Sequence, residues 1–327
     1  MNVLFESFLH AIVDAVLVGI GLRVWGIAKA EPRQRFMSLI LILPVSTPIL
    51  FYGWSMEGSL PGFYRGALFN GERWLHVELL GIPFFRWGFC VLMGACAAAF
   101  LFQELLPIYW HLRQSKRMRR LLKDHRGKII SLETLGIPPI KELEGLRIQV
   151  LPDHWGGISS LYGGSPRILI GEGLLEALDR EELRAVVAHE IAHLGIGRRP
   201  FMLLMYVFRA IAFLNPVALG AFRFVAHEEE CVCDDRAVWL TSVSQLSLAS
   251  ALKKLYQPDQ EPELADCSKQ EVPGLFRNLS AVGLREQLDK RIERLRSRTY
   301  SSGGPGYWPE LFIVTLGCLA FSFAVVG

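Results

Sequence analysis

Four stretches of this chain are almost wholly apolar: Val3–Ile27, Phe36–Trp54, Phe85–Trp110 and Leu311–Val326. Each approaches the length of about 20 residues that a helix needs to cross a hydrocarbon core, so four transmembrane helices are expected. Between the third and fourth the pattern changes. Arg167, Ile168, Leu169 and Ile170 read as a short strand, ended by Gly171 and Gly173. Helical periodicity follows in "LDREELRAVVAHEIAHL" and again from His227 to Leu240. "FMLLMYVFRAIAFLNPVALGAF", Phe201–Phe222, is long enough to span, but Asn215-Pro216 interrupts it, and a helix tends to end before the residue preceding proline. A bent or hairpin element at the membrane is expected there.

The first apolar stretch lacks a basic start and carries Glu6, His10 and Asp14 at near-helical spacing, which marks it as a retained helix and not a removable signal. Those three share a face, and ionisable groups within a membrane turn toward a protein interior or a cavity. Packing and a functional role both remain open for them.

Charge orients the segments. Lys29, Arg33 and Arg35 follow the first span, and the dense run "HLRQSKRMRRLLKDHRGK", His111–Lys128, follows the third, whereas the loop Ser55–Pro83 balances two arginines against three glutamates. Basic residues beside spans favour the cytoplasm. The loop and both termini are therefore expected outside, and the region after the third span inside. The predicted architecture is a mainly α membrane protein. Residues 1–110 form an N-terminal bundle of three helices, 111–307 a cytoplasmic α+β domain with a small sheet, and 308–327 a C-terminal transmembrane helix. Within the middle region, 201–222 is the membrane-associated element. The 51% hydrophobic composition agrees with an integral protein of a plasma or inner membrane. Six cysteines in no paired pattern fit a reduced compartment, and a net charge of +3 gives no case for nucleic acid.

The chemistry lies in His189-Glu190-x-x-His193. Residues four apart share a helix face, so the two imidazoles can reach one Zn²⁺ while Glu190, beside them, takes a proton from metal-bound water. A catalytic site needs a third protein ligand and an open fourth position. Helical spacing selects Glu230 over Glu228 and Glu229, and puts Asp234 one turn on, where it can accept a hydrogen bond from the free nitrogen of a ligating histidine. Cys231 and Cys233 do not share a face and read as small packing residues. His227 and Arg236 read first as a solvated residue and an ion-pair partner, and second as oxyanion or substrate contacts. The strand Arg167–Ile170, if at a sheet edge, offers backbone groups to an extended peptide.

"LDREELRAVVAHEIAHL", "FLNPVAL" and "EEECVCDDRAV" together resemble the integral-membrane antirepressor metallopeptidases of the BlaR/MecR type. A more distant likeness, through Glu230, Asp234 and Ala237, is to HtpX and the CAAX prenyl endopeptidases. The resemblance implies that 111–307 is a gluzincin-like zinc metalloprotease domain, with one zinc ion per chain on His189, His193 and Glu230 and Glu190 as general base. Those sensor-transducers continue into an outer penicillin-binding domain, whereas this sequence stops at Gly327, so a β-lactam signal is not expected. A stimulus would enter through the outer loop, a sensor partner or a second copy of the chain.

The expected function is zinc endopeptidase action on a cytoplasmic or membrane-proximal protein, with a transcriptional repressor as one candidate substrate. The alternative is a non-proteolytic transducer or scaffold with structural zinc, although such a site needs no base. The polar segment Gln257–Val272 reads as a surface linker before a self-cleavage site. Leu284–Arg298 reads as a basic amphipathic helix anchored at the membrane.

Overall fold

The computed structural model describes residues 2–55, 77, 83–106, 109, 128–137, 145–151, 158–161, 166–195, 198–255, 274–297 and 306–325. Almost all of the expected outer loop, the basic arm, the segment 257–272 and the joint 301–306 lie outside these residues. The helices are α1 (Asn2–Val24), α2 (Ala30–Ser55), α3 (Phe84–Phe100), α4 (Glu172–Ala177), α5 (Arg180–Leu194), α6 (Arg198–Ile211), α7 (Pro216–Thr241), α8 (Gln245–Leu255), α9 (Gly274–Ser297) and α10 (Trp308–Val325). The strands are β1 (Ile129–Ile130), β2 (Arg147–Leu151), β3 (Ile158–Leu161) and β4 (Arg167–Gly171).

The chain divides into two compact units. The first comprises α1, α2, α3, α6, α7 as far as Glu229, and α10. Its core joins Val18, Phe36, Leu41, Met205, Val225 and Cys318. Two helical segments here, Leu4–Val24 and Phe84–Leu105, are long and apolar enough to cross a membrane. The other two expected spans fall in α2 and α10, and neither reaches that measure among the described residues. Large apolar side chains stay exposed on α1 (Val16, Val24), α3 (Trp87, Val91), α6 (Leu203, Leu204) and α10 (Phe312, Ile313). Such a density of exposed apolar surface suits contact with lipid.

Polar groups in this unit turn inward. His10 and Asp14 of α1 are buried, and His10 lies 3.3 Å from the Thr47 hydroxyl. Arg209, with no exposed surface, pairs with Glu104 at 3.0 Å, on a π-helical turn (Leu101–Leu105) that extends α3. Arg33 and Gln34 of α2 hold Glu228 and Glu229 at 2.8 and 2.6 Å. The apolar run Phe201–Phe222 is two helices, as its Asn-Pro break requires. α6 ends at Ile211, Asn215 caps α7 by accepting from the N–H groups of Val217 and Ala218, and Pro216 opens the helix, where its missing donor costs nothing.

The second unit comprises the sheet, α4, α5, α7 from Glu230, α8 and α9. Strand order is β1-β2-β4-β3, with β2 and β4 parallel and the outer pairs antiparallel. This corrects the expectation of a substrate-binding edge at Arg167, Ile168, Leu169 and Ile170. That strand lies inside the sheet, and its backbone groups are shared between β2 and β3.

The sequence of α5 distributes its side chains over three faces. Leu183, Val187, Ile191 and Leu194 pack with Ile148, Ile168 and Ile170 of the sheet. Ala185 and Ala188 meet Ala237, Leu248, Leu252, Ile292 and Leu295. The histidines occupy what remains. Asp179 starts the helix in a reciprocal capping box, accepting from the Glu182 N–H while the Glu182 carboxylate accepts from the Asp179 N–H.

Glu182 is nearly buried and also receives Ser250 and Lys254 of α8, each at 2.6 Å. Burial alone would raise its pKa, but the bonds from Lys254, Ser250 and the Asp179 N–H outweigh that and hold it below the ordinary value. The stabilisation is therefore present above the unfolded carboxyl pKa of about 4.3 and is lost as pH falls through the depressed folded value. Glu182→Gln should cost about 1–3 kcal/mol at neutral pH, with the deficit shrinking in acid. Thermal unfolding of the detergent-solubilised protein at pH 7 and pH 3 measures this, and equal midpoints at pH 7 would refute it.

Candidate metal centre

The same 3.6-residue period that buries one face of α5 leaves His189 and His193 stacked on another, with ring centroids 4.7 Å apart. On α7, Glu230, Cys233, Asp234 and Ala237 recur at helical spacing and form the face presented to them. The two imidazole Nε2 atoms lie 3.1 Å apart. Glu230 sets Oε2 at 3.4 Å from His189 and Oε1 at 3.5 Å from His193. Ligand atoms about 2.0–2.1 Å from a tetrahedral cation sit about 3.3 Å from one another, close to the separation of each imidazole from its nearer Glu230 oxygen, and one ligand atom from each residue lies within 4.8 Å of the others. His189 is buried, while His193 and Glu230 keep some solvent contact, which leaves one approach open to a further ligand.

Each imidazole is oriented from behind. The Nδ1 of His189 lies 2.9 Å from Oδ1 of Asp234, a carboxylate with no exposed surface. The Nδ1 of His193 lies 3.3 Å from the buried Sγ of Cys233. Sequence spacing brings Asp234 to this position, but it leaves Cys233 as a mere packing residue. Its place on the Glu230–Asp234 face was the available signal.

A larger omission is Arg291. The helix expected to serve as a basic membrane anchor instead turns Ile292 and Leu295 into the core of the second unit and buries Arg291. Its guanidinium grips Asp234 through Nε (2.9 Å to Oδ2) and Nη2 (2.7 Å to Oδ1), and reaches Oε2 of Glu230 at 2.9 Å through Nη1. Arg294, one turn on, bonds Asp235 and the carbonyl of Cys231. Arg291 falls within the Leu288–Ile292–Leu295 stripe, and a cation placed in an apolar stripe signals a buried acidic partner.

Of the remaining expected residues, Glu190 is half-buried on α5, and among the described residues nothing holds its carboxylate. Arg236 is half-buried, and its Nη1 abuts Gly195 at the end of α5, 3.1 Å from where a Cβ would stand. His227 belongs to the other unit, one turn before Glu230 in chain order.

A histidine pair on one helix and a carboxylate from a later helix, with a small mixed sheet before them, form a group able to hold a metal ion. Residues 163–258 match the family model described as BlaR1 peptidase M56. The match covers 96 of the 327 residues and agrees with the BlaR/MecR-type resemblance that the sequence motifs carry. The search of curated proteins gave no match.

The electrostatics bear on metal uptake. Burial alone would lower the pKa of His189, but its bonds to Asp234 and Glu230 outweigh this and push it up to about 9. Burial raises Glu230, while His189 and Arg291 pull it down to about 2. Asp234 likewise sits below its ordinary value, held by Arg291 and His189 against the effect of burial. The metal-free centre thus carries a protonated His189 at neutral pH, and a metal must displace that proton. Affinity should rise with pH up to about 9, with about one proton released per metal at pH 7.5. Calorimetry in buffers of different ionisation enthalpy reads the proton count, and metal uptake with none released would contradict this electrostatic picture.

Proposed function

We propose that this chain is a membrane-embedded zinc endopeptidase that hydrolyses a peptide bond of a cytoplasmic or membrane-proximal protein. The observation that carries the reading is the grouping of ligand atoms on His189, His193 and Glu230, with Glu190 beside His189 on the same helix. When bound, zinc would supply Lewis-acid polarisation of the carbonyl and a water of lowered pKa. The rest belongs to the chain. Glu190 accepts the proton of the attacking water and returns it to the departing amine. Asp234 and Cys233 fix the orientation of the two imidazoles.

An extended substrate needs a strand edge. β3 is last in the sheet order β1-β2-β4-β3, pairs with β4 and packs against α5, and an extended substrate could run along the sheet beside it. The half-buried Arg236 beside Gly195 is a candidate donor to the developing oxyanion. A transcriptional repressor is the first candidate substrate, on the resemblance of the sequence motifs to the antirepressor metallopeptidases.

Glu190→Gln should retain zinc while its turnover falls by about 10²–10⁴-fold. Metal analysis beside cleavage of a protein that accumulates in cells expressing the variant tests this. Zinc retained with no protein protected would favour a scaffold with structural zinc.

For topology we propose four spans, both termini outside, the second unit in the cytoplasm and α6 seated in the cytoplasmic leaflet. Support comes from the exposed apolar faces of α1, α3, α6 and α10 together with the charge asymmetry of the flanking segments. Cys267 should accordingly react with a membrane-impermeant thiol reagent only after the membrane is opened. Labelling in intact cells would reverse the orientation.

A further inference from the structure

We propose that Arg291 is a positioning residue of the metal centre, holding two of its three ligands in ligating geometry from outside the family-matched segment. This rests on the zinc-site reading above. The match ends at residue 258, whereas Arg291 lies on α9.

A single guanidinium reaches both halves of the centre. Its bidentate grip on Asp234 fixes the carboxylate whose Oδ1 lies 2.9 Å from His189 Nδ1, so the ring of His189 is set indirectly. Its remaining contact, Nη1 to Glu230 Oε2 at 2.9 Å, occupies one lone-pair direction of that carboxylate. Oε1 and the other directions stay turned toward the imidazoles. Only a planar fork with several fixed donors can satisfy two carboxylates in this way. A lysine ammonium carries the same charge without the geometry.

Two other roles would account for a buried arginine here, and each makes a different forecast. If Arg291 only pins α9 to α7, then Arg294, which joins the same helices through Asp235 and the Cys231 carbonyl, is its equal. If only its charge mattered, removing a cation beside a divalent metal would tighten metal binding. A positioning role instead forecasts weaker binding on removal, because Asp234 is left buried without its partner and both ligands are released.

The test is a chelator-competition titration of zinc on the full chain in detergent, for wild type, Arg291→Ala, Arg291→Gln, Arg291→Lys and Arg294→Ala, with circular dichroism and metal-free unfolding temperature for each. Loss of such outer contacts typically weakens metal affinity by about 10–100-fold, and that loss is expected for Arg291→Ala and Arg291→Gln. Arg291→Lys should be weaker than wild type despite its retained charge, and Arg294→Ala should match wild-type affinity even where its unfolding temperature falls. Unchanged or tighter zinc binding in the folded Arg291 variants would overturn the proposal and leave the zinc site standing. An equal loss in Arg294→Ala would reduce Arg291 to a helix pin. A wild-type chain that takes up no zinc would remove the zinc reading and this inference together.

Discussion

Asp234 has no exposed surface, yet it must be ionised to orient His189, and that burial is the constraint around which the second unit is arranged. Withdrawing a carboxylate from water costs several kcal/mol unless opposite charge and hydrogen bonds replace the lost hydration. Both replacements are present, in the forked donors of Arg291 and the Nδ1 of His189. Glu230 adds a second negative charge within reach of the same arginine. Without that cation, two carboxylates one turn apart on α7 would repel one another, and the preferred outcome would be separation or protonation. Neither serves a metal ligand.

Small side chains line the contact between α5 and α7. Ala185 and Ala188 of α5 and Ala237 of α7 sit in one buried cluster, and Cys233 is the small residue behind His193. Larger side chains at these positions would push the helices apart and separate the ligand atoms. Leu183, Val187 and Ile191 meanwhile anchor the opposite face of α5 on the sheet. Dispersion and burial thus set the distance, and the charges set the identity of what occupies it.

Helical periodicity is local, which is why so much of the centre was legible in the sequence. Two histidines four apart, and an acidic pair four apart, must each share a face whatever surrounds them, so His189, His193, Glu230 and Asp234 were visible as two matching half-sites. What could not be read was decided by partners far away in the chain. Arg167–Ile170 is a strand by its own composition, but whether it lies inside a sheet or at its edge depends on the pairing of Arg147–Leu151 and Ile158–Leu161, for which no residue in the strand carries a mark. The helix Gly274–Ser297 shows the same limit. Its many basic residues suit a membrane surface, and only the position of Arg291 within an apolar stripe hints that one of them is turned inward.

The boundary of the recognisable family segment does not coincide with the boundary of the physical site. Among the described residues, the His189, His193 and Glu230 group able to hold a metal lies within 163–258, together with Glu190 and the groups behind the imidazoles on Cys233 and Asp234. The cation that balances the two acidic groups comes from α9, beyond that segment. A ligand motif is constrained by the chemistry of coordination, which admits few side chains at fixed spacing. A counter-charge is constrained only to arrive, and a helix from elsewhere in the chain can deliver it. The metal chemistry is therefore written in a short, recognisable pattern, while the electrostatic support that makes it stable is distributed, and it emerges only when the packing of α9 against α7 and α8 is known.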